Sequence, residues 1–294
     1  MNRGLASFLI VSFFSASLLD ALFYSYSQGL NQLLLSLFLT LWGFLRMYTP
    51  TLGVIVALLV SREDLGVIAS YINFSWRSLK YFLLAPLFAY FSLSMFLLLA
   101  YAMGLLDIDS FLELISSSSG ITKEFASMLL MIQVIIAYPV ALTINSIAAL
   151  GEEIGWRGYL FRQLNGKFGL KSILIVSITW GLWHSTAIAL LGHNYPLLRA
   201  SGIPLFILFC IPLTIVMLKL TEVSESILPS VSLHGGLNAL WGLAAYSTKF
   251  RGIENELYGG LGALGIASLF IASALTIMIL RRCVAHTRAP EELA

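Results

Sequence analysis

Glu152 and Glu153 sit side by side at the end of an apolar run from about Phe125 to Leu150. An ionised carboxylate at membrane depth costs roughly 2.5–3.5 kcal/mol on insertion scales, so it is rarely left there without a use. Glu153 and Arg157 stand at i and i+4 with the acid first, the favourable order for an ion pair on a helix. Glu152 points about 100° away from Glu153 and is free for another role. Two further patterns have helical spacing, Trp180-Gly-Leu-Trp-His184 and His234-Gly-Gly-Leu-Asn238. Taken singly, each pattern also fits a structural role: a juxtamembrane salt bridge, a packed histidine, an interhelical hydrogen-bond clamp. Brought into one cavity, the polar groups would satisfy one another, as buried polar groups must. A glutamate, two imidazoles and an amide in one hollow would form a hydrolytic set: a base, its orienter and two hydrogen-bond donors.

The elements that must position these residues are membrane helices. The 294 residues are 59% hydrophobic and 11% charged, against about 25% charged in soluble domains. So few charges cannot cover a soluble surface. The expected fold is an all-α, polytopic membrane helical bundle, a single integral-membrane domain over 1–294. Apolar runs and their polar breaks predict eight spans, at about 5–24, 31–60, 79–104, 124–150, 170–191, 202–220, 227–246 and 258–280. The second is too long for one straight crossing, and Pro50 predicts a kink or break in it. The first span has no clean cleavage site and is read as uncleaved.

Eight spans put both termini on one side. The terminus-side regions then hold twelve of the Lys and Arg residues, and the opposite loops hold four: Lys123, Arg199, Lys249 and Arg251. Arg46 lies within a span. That bias predicts cytoplasmic termini and puts the Glu152–Arg157 segment at the cytoplasmic end of the fourth span.

Other site types are absent from the sequence. It has no His-Glu-x-x-His zinc helix, no Gly-x-Ser-x-Gly elbow and no glycine-serine or glycine-aspartate motif of other intramembrane proteases. Cys210 and Cys283 are isolated and give neither a disulfide framework nor metal spacing. His193, in a loop, and His286, in a polar tail, read as solvated. The C-terminal Pro-Glu-Glu-Leu-Ala carries no prenylation signal.

Together the three patterns resemble the CAAX prenyl endopeptidase and bacteriocin-processing (CPBP, or type II CAAX protease) family of intramembrane glutamate proteases. Its signature is Glu-Glu-x-x-x-Arg, then Phe-x-x-x-His, then His-x-x-x-Asn. The first and third match fully, and the middle one has Trp180 for Phe. The resemblance implies a catalytic core at about 124–246. It also implies that Glu152 and His184 activate a water, while His234 and Asn238 donate to the oxyanion. Glu153 and Arg157 would support the site from behind. It implies no cofactor and no metal. The expected partners are a lipidated or membrane-associated peptide or protein substrate and membrane lipids, with no nucleic acid. The expected location is the cell membrane, multi-pass, or the endoplasmic reticulum membrane in a eukaryote. The same residues also suit two other readings. One is a zinc-dependent version with Glu152, His184 and His234 as ligands. The other is a non-enzymatic protein, such as a bacteriocin immunity protein or a proton-linked transporter.

Overall fold

The computed structural model describes residues 3–288, with side chains described through residue 282. The side chains of Cys283 and His286, and the C-terminal Pro-Glu-Glu-Leu-Ala, lie outside the described residues. Among the described residues seven helices are long and apolar enough to cross a membrane: Arg3–Tyr26, Gln32–Ser61, Trp76–Ala102, Lys123–Leu142, Leu170–Leu191, Arg199–Ser224 and Gly252–Arg282. The polytopic all-α architecture is as expected.

Prolines lie near several of the breaks in these helices. After α1 (Arg3–Tyr26), the run 32–61 divides at Tyr48 into α2 (Gln32–Met47) and α3 (Thr49–Ser61), with Pro50 in the first turn of α3. Proline there costs nothing, because the first N–H groups of a helix have no internal partner. α1 lies against α3, and glycine permits the approach: a Cβ on Gly53 would strike Ser12 Oγ and Phe8 O. α4 (Val67–Ile72) leads to α5 (Trp76–Leu84) and α6 (Leu87–Ala102), one crossing broken beside Pro86. α7 (Ile108–Ser119) caps the far end of the bundle before α8 (Lys123–Leu142).

The fourth span departs from expectation. α8 carries Pro139 and ends at Thr143, whose φ of -121° and ψ of -98° are not helical. The chain restarts as α9 (Ile144–Glu153), which packs on α13, α3 and α2. Pro139, one turn before the break, leaves the end of α8 one intrahelical hydrogen bond short. The 124–150 span is therefore two helices. The glutamates end the inner one, not the lipid-facing one. A π-helical stretch, Ile154–Leu160, continues into α10 (Phe161–Gln163).

α11 (Leu170–Trp183) is followed by a second π-helical stretch, Ala187–Leu191. α12 (Ile203–Ser224) is the most deeply enclosed long helix. The seventh predicted span, 227–246, is α13 (Leu228–Leu240) and α14 (Gly242–Tyr246), parted at Trp241 and each shorter than a crossing. Its two ends nevertheless meet the two ends of the α5–α6 crossing. At one end the Ile227 N–H donates to Tyr71 O at 2.9 Å; at the other the Asp107 N–H donates to Ser247 O at 2.8 Å. α15 (Gly252–Tyr258) and α16 (Ala263–Arg288) complete the chain.

The end holding Gly4, Tyr71 and Tyr159 carries most of the basic residues named above. The other end carries Lys123, Arg199, Lys249 and Arg251.

Candidate active site

Glycines bring the acidic helix against the α2–α3 break. A Cβ on Gly151 would lie 2.6 Å from Met47 O, and one on Gly158 2.7 Å from the Tyr71 ring. Tyr48 Oη donates to Ile147 O at 2.7 Å, and Thr51 Oγ1 to Gly151 O at 2.6 Å. Glu152 is thereby level with the middle of the 32–61 run. Packing of Gly151 on Met47 and Tyr48, after the break at Thr143, sets that level.

Glu152 is 2% exposed, and its Oε2 accepts a 2.7 Å hydrogen bond from Trp180 Nε1 on α11. His184 sits one turn further on. Its Nδ1 donates to Trp180 O at 2.9 Å, so Nε2 keeps its lone pair. On α13, His234 Nδ1 lies 2.8 Å from Glu153 Oε1. The indole of Trp180 is the hub, with ring centroids 6.1 Å from His184 and 5.5 Å from His234. Behind it the fully buried Arg157 pairs with Glu153 at 3.1 Å, reaches Thr214 Oγ1 at 3.4 Å and stacks on Trp180 at 4.1 Å. The expected i, i+4 pair is present, although the winding from 154 to 160 is π-helical. Single π turns often occur at functional sites.

Glu152, His184, His234 and Asn238 all line one cavity of about 380 Å³. Asn238 is exposed to it and makes no hydrogen bond among the described residues. Glu153 and Arg157 do not line it. The walls add Phe206, Phe209, Leu213 and Trp241, and His193, Asn194 and Ala245 line it towards the end away from Gly4. His193, read as solvated, is exposed but stands in this lining, with its ring 5.6 Å from Trp42. Cys210 is a buried free thiol in the same wall. Among the described residues no three His, Cys, Asp or Glu side chains are grouped to hold a metal ion, so the zinc donor set does not fit.

Asp20 and Arg46 are charges that the sequence places within spans with no role in the three patterns. They form a buried pair at 2.8 Å. Asp20 also accepts from Trp42 Nε1 at 3.0 Å and from Thr186 Oγ1. Arg46 Nη2 donates to Trp183 O at 2.8 Å, and the guanidinium stacks on the Trp183 ring at 3.9 Å. Opposite charges in neighbouring spans were the available signal, since neither is tolerable there alone.

This arrangement agrees with the chain's similarities. Residues 133–240 match the family model for type II CAAX prenyl endopeptidase Rce1-like proteins. A 39-residue stretch is 46% identical to CAAX prenyl protease 2 of Methanococcus maripaludis. That stretch spans 13% of this chain and 14% of the relative's length. No solved structure matches the chain. The Rce1-like segment takes in the end of α8, α9, α11, α12 and α13, and so all six predicted site residues.

Proposed function

We propose that the chain is an intramembrane endopeptidase that hydrolyses a peptide bond with a water activated by Glu152 and His184. The observation that carries this reading is the shared cavity: a carboxylate, two imidazoles and an amide from α9, α11 and α13 line one wall system. His184 Nε2, unprotonated while Nδ1 donates to Trp180 O, can take a proton from water. His234 and Asn238 donate to the developing oxyanion. For His234 this requires a proton on Nε2 as well as on Nδ1, and the Glu153 carboxylate beside Nδ1 compensates that charge. Arg157 fixes Glu153 in turn.

The substrate class is a lipidated or membrane-associated C-terminal peptide, supported by the name of the curated relative and by the apolar walls. The protein is multi-pass. Cytoplasmic termini are supported by the distribution of basic residues. The cavity extends towards the opposite, less basic end. In this reading attack takes place beside Glu152, level with the middle of the 32–61 run.

The test is cleavage of a farnesylated peptide ending in cysteine and three aliphatic residues by detergent-purified protein. Glu152→Ala and His184→Ala should each abolish cleavage while the thermal midpoint stays within a few degrees. Full activity in either variant refutes the assignment.

A further inference from the structure

Arg46 is the cation in the cavity lining, and the proposed hydrolysis gives it no task. Its side chain is 5% exposed, so most of it is committed. Nε is bound to Asp20 and Nη2 to Trp183 O, which locks the plane of the guanidinium. Stacking on Trp183 holds one of its faces. Nη1 has no hydrogen-bond partner among the described residues, yet it is not a sealed polar atom, because Arg46 contributes to the cavity surface. A guanidinium fixed at two nitrogens and open at the third is a pre-organised, charged donor for a single acceptor oxygen.

The wall behind Arg46 is closed by Asp20, Trp42 and Trp183. A peptide strand reaching Nη1 from the cavity can go no further in that direction. Asp20 already offsets one positive charge. The remaining donor therefore suits a singly charged end group better than a phosphate dianion.

We infer that Arg46 Nη1 binds the C-terminal carboxylate of the substrate peptide, so that the cavity selects a free chain end lying just beyond the scissile bond. The inference deepens the endopeptidase reading and rests on it for the identity of the ligand. The alternative source of the same chemistry is an acidic side chain within the peptide, and the choice of peptides separates the two.

The experiment uses the farnesylated peptide above, as free acid and as C-terminal amide, with no acidic side chain in either. Binding is followed by tryptophan fluorescence, since Trp42, Trp180 and Trp241 line the cavity, and cleavage is followed separately. Wild-type protein should bind the acid about tenfold more tightly than the amide, the value of one hydrogen bond to a charged group. Arg46→Gln should bind both alike, and Arg46→Lys should keep part of the preference. Equal binding of acid and amide by wild type, or binding of neither, overturns the inference even if Arg46→Gln fails to fold. An undiminished preference in Arg46→Gln also overturns it. Binding with the expected preference but without cleavage would sink the endopeptidase reading and leave Arg46 as an anion site. Cleavage without preference would do the reverse.

Discussion

Replacing Trp180 by Phe tests the link between the acid and both histidines with the smallest change in shape. Phe keeps an aromatic ring between His184 and His234 but deletes the N–H that reaches Glu152 Oε2 at 2.7 Å. A hydrogen bond to a charged group contributes about 1.5–3 kcal/mol. If that bond holds the carboxylate where the water must sit, turnover should fall roughly 10- to 150-fold, with little change in KM. The weaker ring also loses part of the stacking that steadies Arg157 at 4.1 Å. A double-mutant cycle separates these contributions without needing turnover. Thermal or denaturant stability would be measured for Trp180→Phe, Glu152→Ala and the double variant. The expected coupling is about 1.5–3 kcal/mol. Additivity within about 0.5 kcal/mol, together with a wild-type turnover number for Trp180→Phe, would refute the hub.

Three further outcomes are expected. Asn238→Ala should lower kcat by about 10²–10³ with KM nearly unchanged, as for loss of an oxyanion donor; a pure KM effect would make Asn238 a binding residue. Arg157→Met should destabilise the protein by about 3–5 kcal/mol by leaving the buried Glu153 carboxylate with His234 alone, and Glu153→Gln added to it should restore part of the loss in thermal midpoint. With Cys283 replaced by serine, a cysteine at Ser118 should react with membrane-impermeant maleimide applied outside the cell, and one at Gln163 should not; the opposite pattern would invert the orientation.

Much of the site was legible because membrane depth makes polar residues conspicuous. Glu152, His184, His234 and Asn238 stood out against an apolar background, and helical spacing put each partner on the right face. Two kinds of fact were not legible. The break at Thr143 depends on how α9 packs against Met47 and Tyr48, and a hydropathy window sees only a continuous apolar run. The Asp20–Arg46 pair joins residues on different helices, and only the α1–α2 hairpin brings them together. Trp180 was legible as an aromatic residue on the face of His184. Its hydrogen bond to Glu152 needed the rotation of α9 relative to α11. The split of 227–246 at Trp241 had no sequence signal as strong as proline. There the indole N–H is tied to Gly260 O at 2.9 Å, beyond the reach of local pattern.

The wide winding at 154–160 makes the chain's length there matter more than its composition. An α-helix turns about 100° per residue, and a π turn stores one residue beyond the α repeat. Deleting one residue from 154–160 would let the segment relax to ordinary pitch with Phe161, Arg162 and all that follows still in register, while the residues inside the stretch move round to other faces. Glu152, upstream, and the loop into α11 would stay put, while Arg157 would be turned away from Glu153 and Trp180. A single-codon gap in this stretch should therefore cost the Arg157 contacts even where the arginine itself is kept.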